Sequence, residues 1–290
     1  MAQSALELGN AALFKLGAMQ VTSVTGADTS KEGLALTARL DIIKRKLLRD
    51  YVWNFGSKRK VLTPPAAVTL TTPFVAYVTT NTIKFTVAAH TFVAGNYITS
   101  TGAGASQANG TFEVASVTAT TVTCTAPGVT AITGTPAAGT IRLSPAFNYG
   151  YLYTLPTDCL RVVTLNEEAS SERWRIEGRF IASDEATSLE INYIADITDY
   201  TAMDIGFYEC FATYLAWDIC DHITGDAGKK RDLWTDLNGG DGKTGMLPRA
   251  RFTDAVEDPL QENQANDWIG SRFGSGDVKF APVTVTTSLV

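Results

Sequence analysis

The stretch Lys31–Phe55, KEGLALTARLDIIKRKLLRDYVWNF, decides how the rest of the chain must fold. Its aliphatic residues recur at steps of four, three and four, which places them on one stripe of a helix: Leu36, Leu40, Ile43 and Leu47. Ser30 is a suitable N-cap, and Gly56 stands just past the predicted end. The opposite face is heavily charged. Because a helix of about 20 residues with a continuous apolar stripe packs against other helices, we predict a helical body.

Further helical segments lie on both sides of this stretch. Ser4–Gly17 is a short amphipathic segment, with Phe14 counted on its apolar side, and it forms an αα-hairpin with the long helix. The helical period returns only late in the chain, in Ala202–Ile223, Ala227–Leu237 and Arg249–Val256, the last opened by Pro248. We therefore predict a helical bundle built from residues 1–63 and 201–258.

Residues 64–145 have a different composition. Their charged residues are Lys84, Glu113 and Arg142, and threonine is abundant. Short alternating runs bounded by Gly, Pro and Asn predict strands at Thr82–Ala88, Tyr97–Thr101, Gly110–Thr118 and Thr120–Thr125. Five or more short strands at this spacing indicate a small barrel or sandwich. The segment is thus predicted to be an inserted all-β module.

Residues 146–200 have ordinary charge content and predict a second β subdomain. Phe147–Leu155 and Cys159–Leu165 have strand patterns. Trp174–Ala182 and Ser188–Ile194 alternate well and are predicted to pair as a hairpin around an acidic loop. Residues 259–290 lack periodicity and are predicted to be an extended C-terminal tail. The fold class is therefore α+β.

The composition is that of an ordinary globular protein. The 290 residues are 45% hydrophobic and 19% charged, with a net charge of −6. That charge argues against a free-standing nucleic-acid binder, although not against DNA contact as one wall of a larger assembly. The four cysteines have no CxxC spacing, so buried reduced thiols are expected rather than a disulfide framework or a zinc site. We find no signal-peptide pattern and no apolar run of 18 residues, and we expect a product made in the cytoplasm without a membrane address.

No constellation in the sequence predicts catalysis. His90 and His222 lack ligand spacing, and Gly239–Thr244 lacks the spacing of a phosphate loop. The carboxylate pairs, such as Asp218 and Asp221, are typical of solvated positions. We therefore predict no catalytic residue, no metal, no cofactor and no enzymatic activity.

A basic run lies at the end of the long helix. Eight basic and two acidic residues between Arg39 and Lys60 give a local net charge of +6. This run is either an electrostatic contact for DNA or an acidic partner, or a helix face that is solvated or contacts protein. The second reading is favoured, because no base-reading motif accompanies the charge.

The ordered combination of several segments resembles the tail tubular protein A family, the head-to-tail adaptors (connectors) of T7-like short-tailed phages. These segments are ALELGNAALFKLGA near the start, Trp53-Asn54-Phe55, NYGYLYTLPTDCLRVVTL, and a late aromatic-rich helix ahead of RARFTDAVEDPLQENQ. The resemblance covers roughly residues 1–63 and 146–273. The module at 64–145 departs from compact members of that family and is similar to small β modules inserted in various phage virion proteins.

The resemblance implies a structural protein of the virion neck. Such adaptors form a twelve-subunit ring under the portal protein, continue the channel for DNA ejection without sequence-specific binding, and receive the tail nozzle, tail tubular protein B. In some relatives the ring also helps to seat tail fibres. Because a chain end without periodicity is commonly ordered by a partner, we assign portal docking to Trp268, Ile269, Arg272 and Phe273. The alternative is that the three apolar residues of this set pack onto their own subunit.

Two other function classes remain open. A tail-associated cell-wall-degrading enzyme needs a carboxylic acid of raised pKa beside a second carboxylate, and Glu113 is the nearest candidate, although it alternates outward. A carbohydrate- or fibre-binding role for the module is compatible with its low charge and its aromatic residues: Tyr77, Phe85, Phe92, Tyr97 and Phe112.

Overall fold

The protein folds as a mixed α+β chain. Our computed structural model describes residues 3–79, 81–129, 139–166 and 173–257, with the backbone alone described for 72–79. Within these ranges there are five α-helices, twelve strands and three short 3₁₀ turns. The four predicted docking residues lie outside the described ranges.

The helices are α1 Ala5–Leu16, α2 Lys31–Asp50, α3 Ile205–Ile223, α4 Ala227–Asn238 and α5 Met246–Glu257. Two of the predicted end residues are confirmed, Ser30 before α2 and Gly17 after α1. The Ser30 hydroxyl accepts a hydrogen bond from the Gly33 amide, and Gly17 ends α1 in the left-handed region at φ 68°. Pro248 lies in the first turn of α5, as predicted. Helix α1 packs mainly against α3 rather than pairing closely with α2.

Helix α2 ends five residues earlier than the sequence predicts. Tyr51 is extended at φ −140°, and the chain turns there instead of continuing to Phe55. This turn buries Trp53, whose indole Nε1 donates to the Leu47 carbonyl at 3.0 Å and so pairs one of the carbonyls that a helix end leaves open. Gly56, predicted as the helix stop, belongs instead to a 3₁₀ turn at Asn54–Gly56.

Helix α3 lies at the centre of the helical part and contacts the other four helices. One continuous core joins the helices to a three-stranded sheet, so helices and sheet stabilise each other. Its fully buried members come from every layer: Leu8 and Leu13 from α1, Leu36 and Leu47 from α2, Phe207 and Phe211 from α3, and Ile194 from the sheet. The body is therefore a mixed α+β unit rather than a bundle of helices alone.

Two antiparallel sheets belong to the body. The first contains β1 Ser57–Leu62, β9 Cys159–Leu165 and β12 Leu189–Ala195 in the order β1-β12-β9. The second contains β8 Tyr151–Thr154, β10 Trp174–Glu177 and β11 Phe180–Ser183 in the order β10-β11-β8. Strand β9 has the predicted bounds. Strand β1 was not predicted, because its sequence Ser-Lys-Arg-Lys-Val-Leu continues the charged pattern of the helix before it.

The predicted hairpin between Trp174–Ala182 and Ser188–Ile194 is wrong. Gly178 adopts a φ of 61°, which favours glycine, and it turns the chain in the middle of the first segment. The two halves pair with each other as β10 and β11, and β11 continues onto β8. Strand β12 lies in the other sheet, between β1 and β9.

Six strands between Val68 and Ser144 form a closed barrel. They are β2 Val68–Thr79, β3 Thr82–Val87, β4 Tyr97–Thr101, β5 Gly110–Val117, β6 Thr121–Thr125 and β7 Thr140–Ser144, in the order β2-β3-β6-β5-β4-β7. The four strands predicted here are confirmed to within one residue. The interior is a separate core containing Ile83, Phe85, Ile98, Val122 and Ile141. The first and last strands are neighbours, so the chain enters and leaves the barrel side by side.

Candidate functional surface

Several residues of the basic run of α2 contact other elements of the same chain. Arg39 makes two hydrogen bonds to the Asp218 carboxylate, at 2.6 and 3.0 Å, and this pairing raises the pKa of the guanidinium. Lys46 contacts the hydroxyl and ring of Tyr214 on α3, and Arg49 donates to the Leu160 carbonyl at 3.0 Å. Much of the positive charge is therefore neutralised or oriented by the protein itself.

Asp196 holds two more of these basic groups. Its carboxylate lies 3.1 Å from the Lys44 ammonium and 2.7 Å from Arg45 Nε. The Lys44 side chain is 5% exposed and that of Asp196 is 15% exposed, so the pair is largely removed from water. A buried ammonium needs a partner, since an unpaired charge loses its hydration without compensation. Asp196 thus fixes α2 against the end of β12.

We expect Asp196→Ala to lower the free energy of unfolding by about 3 kcal/mol, because the buried Lys44 ammonium loses its nearest carboxylate. The measurement is chemical denaturation followed by circular dichroism. Asp41→Ala is the matched control, because Asp41 lies 3.4 Å from the same ammonium but is 69% exposed. Its loss should cost under about 1 kcal/mol. Equal losses for the two variants would show that burial of the pair contributes nothing.

His90 and the glycine loop are held by contacts within the chain. His90 stacks on Phe92 with ring centroids 5.4 Å apart, and its Nε2 donates to the Thr118 carbonyl at 2.8 Å. In the Gly239–Thr244 loop, the Asp241 carboxylate accepts hydrogen bonds from the amides of Lys243 and Thr244, which lowers the pKa of Asp241. These two amide hydrogens are bonded to Asp241 and are therefore not available to a phosphate. Glu113 is exposed on β5, as predicted.

All four cysteines are buried and free, as predicted. Burial raises the pKa of the Cys124 thiol to about 12 and that of Cys210 to about 11. Because a thiol is nucleophilic only as the thiolate, these two groups are inert at neutral pH. Among the described residues, no group of three or more His, Cys, Asp or Glu side chains is placed to hold a metal ion. In the same ranges, no helix combines the length and apolarity needed to cross a bilayer.

An open groove runs between α1 and the start of α3. Its volume is about 1190 Å³. Large apolar side chains stand on its rim, where Phe14 is 76% exposed and Ile205 is 63% exposed. Lys15 bridges the groove to Glu209 at 3.5 Å. The remaining lining residues are mostly polar or small: Gln3, Glu7, Asn10, Ala11, Gln20, Thr201 and Tyr208.

The position of Phe14 corrects its predicted placement on the buried side of α1. Successive helical residues are rotated by about 100°, so Phe14 is turned by about 200° from Ala12 and from Leu16, which are both buried. The angular position was therefore a usable signal that this phenylalanine faces outward. Exposed Met19 follows in the loop, beside Gln20 of the groove.

A second apolar surface lies on the outer side of α2. Leu34, Ala38 and Ile42 recur at steps of four and are all exposed, with Leu34 and Ile42 each 55% exposed. A crevice of about 420 Å³ between α2 and α3 continues this stripe past Ile219 to His222. We call it the α2 stripe. It shares no residue with the groove.

Neither the models of known protein families nor the curated proteins give a match to this chain. The function is therefore argued from the two apolar surfaces and from the internal pairing of charge.

Proposed function

We propose that this protein is a ring-forming head-to-tail adaptor of a short-tailed phage, which joins the portal to the tail nozzle and continues the DNA channel. The observation that carries the proposal is the pair of exposed apolar surfaces, the groove rim and the α2 stripe. A closed ring needs heterologous contacts, in which one surface of each subunit meets a different surface of its neighbour. In this proposal the five helices act as a bundle that forms the wall of the ring.

The distribution of charge supports the channel role. DNA passing through a channel must not be held, and a protein that neutralises many phosphates binds DNA strongly at low salt. Here Arg39, Lys44 and Arg45 are paired with carboxylates of the same chain. The net charge of −6 also disfavours strong binding of DNA. We expect no sequence-specific contact with DNA.

The other expected partners follow from the family resemblance. They are the portal protein, met by Trp268, Ile269, Arg272 and Phe273, the nozzle protein on the opposite side, and tail fibres. The proposed location is the neck of the virion, with twelve copies in the ring. No catalytic activity forms part of the proposal.

The test is native mass spectrometry and electron microscopy of the purified chain, alone and mixed with the portal protein of the same phage. We expect rings of about twelve copies in the presence of portal. Ile42→Lys puts a charge into the α2 stripe and should abolish rings without unfolding the monomer. Val93→Lys is the control, because Val93 is 57% exposed but lies on the barrel. A monomer that ignores the portal contradicts the proposal.

The barrel supports a second candidate role, binding of carbohydrate or of a tail fibre. Its outer surface has paired threonines on adjacent strands, with hydroxyl oxygens 3.0 Å apart for Thr99 and Thr111 and 3.2 Å apart for Thr101 and Thr140. Rows of hydroxyl groups on a rigid sheet are suited to hydrogen bonding with polar ligands. A chain in which residues 66–144 are replaced by a short Gly/Ser linker separates the roles. Rings that form normally but no longer take up fibres assign fibre binding to the barrel, whereas loss of rings makes the barrel part of the adaptor.

A further inference from the structure

The groove between α1 and α3 has no occupant among the described residues, and its rim exposes apolar side chains that stable proteins commonly cover. Phe14 and Ile205 stand at its two sides, 76% and 63% exposed. Large exposed apolar side chains beside a groove mark a binding site more often than an ordinary surface does. The question is which segment fits it.

The course of α5 carries the C-terminal part of the chain toward the N-terminal end of α3, where this groove lies. Met246 Sδ lies 3.8 Å from the Thr213 hydroxyl, and a Cβ on Gly206 would lie 3.4 Å from that of Ala250. Helix α5 therefore runs antiparallel to α3, toward its N-terminal end. Seven further residues carry it about 10 Å beyond Ala250, to Glu257. The last turn of α5 is held by Asp254 at the Asn54 amide, so the chain leaves α5 beyond the N-terminal end of α3, the end at which Ile205 lines the groove.

The segment that follows has suitable length and composition. From Glu257 to Trp268 the chain advances eleven residues, which can span up to about 35 Å when extended. Then come three large apolar residues within six positions, Trp268, Ile269 and Phe273. Aromatic anchors of this type provide most of the energy when a peptide binds an apolar groove.

The charges of the two parts are complementary. The groove lining contains Glu7, Glu209 and Lys15, a net charge of −1. The segment Trp268–Phe273 contains Arg272 as its one charged residue, a net charge of +1. Opposite charge at a partly apolar groove favours one orientation of the bound peptide.

We propose that the groove between α1 and α3 binds the segment Trp268–Phe273 of the same chain. Docking places the tryptophan and the phenylalanine against Phe14 and Ile205, with Arg272 toward Glu7. The proposal stands on the groove and on the course of α5, and it concerns the free subunit, because in the proposed ring the groove rim meets the neighbouring subunit. Where the adaptor role also holds, portal and groove compete for the same segment, and the free subunit keeps its portal-docking residues covered until the portal displaces them.

Hydrogen exchange followed by mass spectrometry tests this in the full-length chain. The double variant Phe14→Glu with Ile205→Glu should make exchange in peptides from 258–290 about tenfold faster. A chain ending at Glu257 should in turn show faster exchange in α1. Phe147→Glu is the control, because Phe147 is 75% exposed and does not line the groove. Unchanged exchange in both experiments overturns the proposal.

Dilution distinguishes docking within one chain from exchange between two copies. Docking in the same chain gives protection that is independent of protein concentration, because the local concentration of a tethered segment is in the millimolar range. Protection that is lost on dilution means that the segment enters the groove of a second copy, and it overturns docking within one chain. The ring assay is a separate measurement, so failure of either proposal is recognised without reference to the other.

Discussion

Replacement of Trp53 by alanine should lower the free energy of unfolding of the body by about 4 kcal/mol. The side chain is 1% exposed and packs edge-to-face on Phe207 and Tyr51, with ring centroids 4.9 and 4.8 Å away. Alanine removes these contacts, leaves a cavity between α2 and α3, and leaves the Leu47 carbonyl without its donor. The melting temperature should fall by about 10 °C, measured by circular dichroism at 222 nm.

Trp174→Ala is the control for this result, since it makes the same chemical change at a position that is 37% exposed on strand β10. It should cost clearly less, about 1–2 kcal/mol, because over a third of its surface is already in water, whereas Trp53 is fully buried. If the two variants lose the same stability, the aromatic cluster around Trp53 is not the centre of the core. The cluster joins the end of α2 to α3, so the result also reports how firmly those helices are held together.

The sequence predicted those elements that have both a clear period and a clear end signal. Ser30 begins α2 and Gly17 ends α1, as predicted, because the capping hydrogen bond of a serine and the left-handed backbone of a glycine depend only on neighbouring residues. The barrel strands β3 to β6 were found because each alternates and is bounded by a turn. Strands β2 and β7 were missed because β2 contains Pro73, which has no amide hydrogen to donate, and β7 is a run of five residues with Arg142 at its centre. Trp174–Ala182 was predicted as one strand because it alternates well throughout. Gly178 turns the chain within this segment and divides it into two strands.

The candidate surfaces were harder to predict, because exposure depends on tertiary packing. The apolar residues of α2 lie on more than one face, and the sequence does not say which face α3 will cover. Leu36 is buried, with its side chain against Gly9 of α1, while Leu34, two positions away, is exposed. The same limit applies to the basic run. Its partners Asp196 and Asp218 are more than 150 residues away in sequence, so only the fold brings them to α2. The predicted docking residues lie outside the described ranges, and their role stays a prediction.

Replacement of Phe85 by alanine should destabilise the barrel while leaving the body intact. Phe85 is fully buried inside the barrel, with its ring centroid 6.0 Å from that of Phe112. Loss of a buried phenylalanine costs about 4 kcal/mol, which is a large share of the stability of a domain of this size. Hydrogen exchange in peptides from residues 81–125 should become at least about a hundredfold faster, whereas peptides from α2 and α3 should change little.

The reason for this confinement is that the two cores have no residue in common. The barrel begins and ends on adjacent strands, so its unfolding need not pull apart the strands of the body. A contact with the body is made where the Arg142 guanidinium stacks 3.9 Å from the ring centroid of Tyr151, and a half-buried stacking contact of this kind contributes about 1 kcal/mol. Phe147→Ala, at an exposed phenylalanine outside the barrel, provides the control and should leave both regions protected. Equal loss of protection in body and barrel after Phe85→Ala would mean that the Arg142 contact couples them into one cooperative unit, and the barrel would then belong to the structural framework of the protein rather than being a separable module.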